Sequence, residues 1–206
     1  VKIQATDSAA SAGLFEGVLI LVKSYQTARS AQHLPKLLGP KGTVLTLQNG
    51  LGNKEILEQT AGKNRVLAGI TTQAAAVPQA GLVVDTGPGP ILLGEDGSMQ
   101  GAIAFWKNLF SKAGWEIRIE PDVSSLIWGK LVVNSAINVQ TALLGVQNGI
   151  LAERPDTQIV MKALAEETAA VAKGLGLSLP FPDPAAEPLR IARATALNYS
   201  SMLADI

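Results

Sequence analysis

Apolar and polar positions change rhythm about halfway along this chain. Before residue 120, short apolar runs alternate with amphipathic stretches. Residues 18–22, Val-Leu-Ile-Leu-Val, form an unbroken apolar run, the pattern of a strand buried on both faces of a parallel sheet. Residues 25–38 read as a helix, closed by Gly39-Pro40 and Gly42. A second strand is expected at 43–48, a short helix at 53–60 ending near Gly62, and a third strand at 65–72. This βαβαβ order predicts an α/β fold, a doubly wound parallel sheet. Residues 82–86 and 91–94 flank Gly87-Pro88-Gly89-Pro90 and read as a hairpin-like pair joined by that turn. An amphipathic helix at 99–113 and a strand at 115–119 complete the first half.

From Pro121-Asp122 onward the apolar period is helical: about 123–144, 155–173 and 184–197, with the proline-rich residues 180–184 as a loop. The reading is therefore a sheet domain over 1–120 and an all-helical domain over 121–206. No internal repeat or low-complexity stretch interrupts either half. Residues 1–16 show no strand–turn–helix unit, so the sheet reads as starting in mid-fold and both ends as cut.

The 206 residues hold 17 basic and 17 acidic side chains. Without a charge block, the sequence offers no face for nucleic acid or an anionic membrane. The apolar runs are far too short to span a bilayer, and the N-terminus lacks a signal-peptide pattern. The chain has no cysteine, which removes thiol chemistry and fits a reducing, cytoplasmic compartment. Its one histidine, His33, has no companion ligands nearby in sequence, so no metal site is expected.

The densest candidate chemistry lies in the helix near residue 130. Lys130, Asn134 and Asn138 recur every four residues, with Thr141 three further on. A 3.6-residue turn puts all four on one stripe. Lys130 is the one charge between Asp122 and Glu153, and asparagine is a poor choice for an ordinary solvated helix face. The stripe therefore reads as a polar line facing a cleft. A lysine there can stabilise the alkoxide that develops when hydride reduces a ketone, and can then protonate it. The two amides can hold a polar substrate by hydrogen bonds.

A second motif, Thr46-Leu-Gln-Asn-Gly-Leu-Gly-Asn53, leaves the carboxyl end of a predicted strand, where open α/β sheets bind ligands. Its glycines only superficially match G-x-G-x-x-G. Glu55 stands at the third glycine position, and Ala75 stands where an acidic residue is expected some twenty residues on. It is rejected as a pyrophosphate loop. Its local pattern fits a simple strand-to-helix turn as well as a ligand-binding one; its position at a strand end favours the ligand role. Residues 23–26 and 72–75 follow strand ends in the same way. A third motif, Asn198-Tyr-Ser-Ser-Met-Leu-Ala-Asp205, reads locally as a serine N-cap opening a helix.

These motifs in this order resemble the ketopantoate reductase (2-dehydropantoate 2-reductase) family: Val22-Lys-x-x-Gln26, Gln48-Asn-Gly-Leu-Gly-Asn53, Gly69-Ile-Thr-Thr72 with Ala75, Gly94-Glu95, Trp128-x-Lys130-x-x-x-Asn134-x-x-x-Asn138, Asn148-Gly149, and Ser200-Ser-Met-x-x-Asp205. The resemblance covers nearly the whole chain. It implies a Rossmann-like NADP-binding domain followed by a helical substrate domain, and reduction of ketopantoate to pantoate by NADPH on the route to pantothenate and coenzyme A. By the same resemblance Lys130 is the general acid. Asn134, Asn138, Ser201 and Asp205 serve the keto acid, and Lys23, Asn49 and Ala75 the cofactor. A homodimer is left open.

The family also carries an N-terminal G-x-G-x-x-G unit and a glutamate shortly after Ser-Met-x-x-Asp, neither of which this sequence contains. The isolated chain is accordingly expected to bind cofactor weakly and turn over little. Three other readings stay open: a β-hydroxyacid dehydrogenase, in which the asparagine lies closer to the lysine; reduction of a related 2-keto acid; and a non-catalytic homologue.

Overall fold

The structure is a computed structural model. It describes residues 4–87 and 89–206; residues 1–3 and Pro88 of the Gly-Pro-Gly-Pro run lie outside the described residues. The chain divides into two compact units, Val1–Val123 and Ser124–Ile206.

The first unit runs through α1 (Ala9–Ala12), β1 (Phe15–Ile20), α2 (Thr27–Ala31), α3 (Leu34–Leu37), β2 (Leu38–Thr46), α4 (Asn53–Ala61), β3 (Val66–Thr71), β4 (Ala74–Gln79), β5 (Leu82–Gly87), β6 (Ile91–Gly94), α5 (Gln100–Lys112) and β7 (Ile117–Glu120). Five strands form one sheet in the order β1-β2-β3-β6-β7. The pairs β1–β2, β2–β3 and β6–β7 are parallel, and β3–β6 is antiparallel. Successive strand residues point to opposite faces, and here each face has its own core. Val44 and Val66 join Ile20, Ala31, Leu34 and Leu57 under the α2–α4 side. Their neighbours Leu45 and Leu67 join Leu93, Ile103 and Trp106 under α5. Helices on both faces make the unit a Rossmann-like, doubly wound α/β layer.

Three sequence expectations are corrected here. The helix expected at 25–38 is broken into α2 and α3, because Pro35 has no N–H to continue the ladder. Gly39, Pro40 and Gly42 do not close a helix but begin β2, where the register to β1 slips between Phe15 and Gly17. A Cβ at Gly42 would lie 2.5 Å from the Phe15 carbonyl oxygen, and Arg65 donates from Nε to the Gly42 carbonyl at 2.8 Å and from Nη2 to the Gly39 carbonyl at 2.5 Å. Finally, β5 pairs with β4 rather than β6. The hairpin turn falls at Ala80-Gly81, where Gly81 takes φ +79°, a conformation suited to a two-residue hairpin loop. β6 instead enters the main sheet beside β3.

Every described element of the second unit is helical: α6 (Val123–Leu144), which begins one residue before the division, α7 (Asn148–Glu153), α8 (Pro155–Gly174), α9 (Glu187–Ala194) and α10 (Ser201–Ala204). Val132, Ala136 and Ile137 of α6 pack with Leu151, Met161, Ala165 and Ala192 from the next three helices. Gly129 lets the 180–181 segment lie against α6, since a Cβ there would come 2.6 Å from Pro180. The six-residue α7 has no counterpart in the sequence reading. Asn148 and Gly149 are weak helix formers, and tertiary contacts hold them: their amides donate to the carbonyls of Asn198 and Ala196, each at 3.0 Å. Among the described residues no helix is long and apolar enough to cross a membrane.

Candidate functional site

In the first unit the candidate residues stand where parallel strands end. β1 and β2 run side by side, and the segments leaving their carboxyl ends carry Lys23 and Asn49, both exposed. The loop after β2 turns through Gly50 at φ +87° and Gly52 at φ +81°, values that only glycine adopts without strain. Gln48 and Asn53, quoted above without a role, and Thr27, which the sequence did not single out, hold these segments in place. Gln48 donates from Nε2 to the Val22 carbonyl at 2.5 Å and to Thr27 Oγ1 at 2.9 Å, and its Oε1 accepts from Thr46 at 2.9 Å. Thr27 donates to Asn53 Oδ1 at 2.9 Å, and Asn53 Nδ2 donates to the Asn49 carbonyl at 3.1 Å. Thr27 is fully buried and Asn53 nearly so. A polar residue at the first position of each helix was the available signal, though local sequence alone cannot show that the two side chains meet.

Ala75 sits on β4, exposed and in register with Asp85 of β5. The base of that hairpin is pinned by Gln73, which donates to Asp85 at 2.8 Å and accepts from the Gly89 amide at 3.0 Å.

In the second unit, α6 carries Lys130, Asn134 and Asn138, all half-buried, at its four-residue spacing. Burial pushes the Lys130 ammonium down from its ordinary value to about 8, because removing a charge from water favours the neutral amine. The group thus stays mostly protonated at neutral pH and gives up a proton more readily than a surface lysine. Asn138 donates from Nδ2 to Ser201 Oγ at 3.3 Å. One turn further along α6, Thr141 meets Ser200 Oγ at 2.6 Å. Ser200 is the N-cap of α10, accepting from the Leu203 amide at 3.2 Å. The stripe on α6 is therefore stitched to α10 at two successive points. Asp205 stands exposed at the C-cap of the same short helix. Asn148 is also buried; its Nδ2 donates to Thr195 at 2.9 Å, while its Oδ1 has no partner.

Chemically, the first unit offers a cation and an amide on adjoining strand ends, a donor set suited to a ligand bearing phosphate and ribose. The second offers a proton donor of lowered pKa with amide and hydroxyl groups on one face, suited to a small polar carbonyl compound.

Two family models match the chain. One, described as "Ketopantoate reductase PanE/ApbA", covers residues 1–97, and the other, described as "Ketopantoate reductase PanE/ApbA C terminal", covers residues 122–206. The 2-dehydropantoate 2-reductase of Archaeoglobus fulgidus is 37% identical over 188 residues, which is 91% of this chain and 62% of that protein. A PanE/ApbA family ketopantoate reductase from Ralstonia eutropha superimposes with a TM-score of 0.87 at 28% identity, covering all of this chain and 67% of that one. D-mandelate dehydrogenase, solved with NADH and anilino(oxo)acetate, shares the fold with a TM-score of 0.84 at 22% identity, over 95% of this chain and 64% of that one. The chain spans about 62% of the length of the curated relatives it matches.

Proposed function

Because the chain belongs to the ketopantoate reductase family, we propose that the full-length protein reduces the 2-keto group of ketopantoate to give pantoate, with NADPH as the reductant. The observation that carries this reading is the α6 stripe, with a lysine lowered to about 8 one turn from Asn134 and two turns from a Ser201-bonded Asn138. The nicotinamide, when bound, supplies hydride to the carbonyl carbon. Negative charge then gathers on the carbonyl oxygen, and the Lys130 ammonium stabilises it and hands over its proton. The amine left behind regains a proton from solvent. Asn134, Asn138 and Ser201 hold the keto acid, and Asp205 orients that set. Lys23, Asn49 and Ala75 contact the cofactor.

The test is steady-state kinetics on the full-length protein, following nicotinamide absorbance with ketopantoate and a panel of other 2-keto acids, with NADPH and NADH in turn. Preferred turnover of ketopantoate with NADPH is expected. A clear preference for another 2-keto acid would redirect the substrate assignment, and wild-type turnover by Lys130→Ala would remove the proposed acid.

A further inference from the structure

The two strand-to-helix corners that carry Lys23 and Asn49 are bonded to each other through the buried side chains of Thr27 and Asn53 and the half-buried Gln48. We infer that Thr27, Gln48 and Asn53 form a positioning clamp that pre-sets both corners for the dinucleotide; this rests on the reading that Lys23 and Asn49 contact the cofactor.

Each corner has the same plan. β1 leads through Val22 and Lys23 to Thr27, the first residue of α2, and β2 leads through Gln48 and Asn49 to Asn53, the first residue of α4. Gln48 is the hub. Its two amide hydrogens go to the Val22 carbonyl and to Thr27, so the residue before Asn49 grips the residue before Lys23. The Thr27 hydroxyl passes its hydrogen to Asn53, and Asn53 passes one to the Asn49 carbonyl. The donors run in one direction from Thr46 to Asn49, and each amide and hydroxyl in the series is used.

An asparagine at the start of a helix ordinarily serves the helix by capping its first amides. The α4 N-cap is Gly52, with no side-chain cap bond, and Asn53 spends both ends of its amide on the neighbouring corner and on its own loop. The bonding thus fixes the loop that presents Asn49 rather than the helix behind it. Gly50 and Gly52 make that loop intrinsically permissive. Ordering a permissive loop on binding costs affinity, and a clamp that orders it beforehand removes that cost.

The experiment is an equilibrium titration of the full-length protein with NADPH in the absence of keto acid, followed by nicotinamide fluorescence. Thr27→Val keeps the shape but loses both bonds of the hydroxyl, and should weaken binding about tenfold. Thr27→Ser, which keeps the hydroxyl, should stay within about twofold of the native protein. Asn53→Asp keeps the acceptor for Thr27 but loses the donor to Asn49, and repeats the test if Thr27→Val does not fold. In an Asn49→Ala background the Thr27→Val loss should largely vanish, because residues acting through one another are non-additive. Amide hydrogen exchange at residues 49–52 should quicken in Thr27→Val or Asn53→Asp.

Native affinity in Thr27→Val and Asn53→Asp, while Lys23→Ala and Asn49→Ala weaken binding, would overturn the clamp and leave the cofactor reading standing. Full additivity with Asn49→Ala would also overturn it. If Lys23→Ala and Asn49→Ala both bind NADPH as the native protein does, the cofactor reading itself fails and the inference goes with it.

Discussion

The amide of Asn138 meets the hydroxyl of Ser201 at 3.3 Å across 63 positions of sequence, joining the far end of the α6 stripe to the first residue of α10. Two groups assigned to one keto acid thus reach each other before any ligand arrives. Asn138→Ala and Ser201→Ala are each expected to raise KM for the keto acid more than they lower kcat. The double variant should lose less than the product of the single losses. Michaelis parameters for the four proteins check this; fully additive losses would separate the two roles.

Lys130→Ala should slow turnover by roughly 10²-fold or more, the scale for a group that both stabilises charge and transfers a proton. The pH dependence follows from its lowered value of about 8. A general acid acts in its protonated form, so kcat should hold below that pH and fall as pH rises through it. Lys130→Arg should lack that limb, because its guanidinium does not titrate there. A pH–rate profile of the native protein and Lys130→Arg decides the point.

The same burial that lowers Lys130 means that its ammonium disfavours the folded state. Folded and unfolded lysine bind protons equally only well below the folded value of about 8. Between that value and the ordinary lysine pKa the unfolded chain binds more, so this group's contribution to stability becomes more favourable as pH rises through that window. Lys130→Met, similar in length and uncharged, should raise the melting temperature at neutral pH while removing activity, a trade expected of a functional residue. Thermal unfolding at pH 7 reads it; an unchanged or lower Tm would speak against a desolvation penalty.

Thr141→Val should loosen α10 without unfolding the second unit. Its hydroxyl is fully buried and meets Ser200 at 2.6 Å, so the loss should cost about 1–3 kcal/mol locally. Faster amide exchange at residues 201–204, with slow exchange retained in α8, is the expected signature.

Gly69→Ala probes the main sheet. A Cβ there would lie 2.5 Å from the Leu92 carbonyl oxygen and 2.9 Å from Leu47 and Leu93. Overpacking of this kind costs about 1–3 kcal/mol. Denaturant unfolding should show a lower midpoint, whereas Gly101→Ala, in open space on α5, should leave it unchanged or higher.

Much of this molecule is written locally. The stretches 18–22, 43–48 and 65–72 locate β1, β2 and β3, and Val44, Leu45, Val66 and Leu67 are buried on the two faces as a doubly covered strand requires. The unbroken apolar run at 18–22 is not covered in that way, because β1 is an edge strand of the described sheet and leaves Leu19 and Leu21 exposed. The spacing of Lys130, Asn134 and Asn138 is likewise a property of one helix, visible wherever a 3.6-residue period is visible. What tertiary structure decided is everything that depends on a partner distant in the chain. The sequence could not say that β5 would turn back on β4 and leave β6 to pair with β3, because strand pairing is chosen by register and turn geometry in space. It could not say that Thr27, Gln48 and Asn53 share one set of hydrogen bonds, or that Asn138 would find Ser201. A hydrogen bond needs its two groups within about 3 Å, and only the packed backbone brings residues 26 or 63 positions apart to that distance.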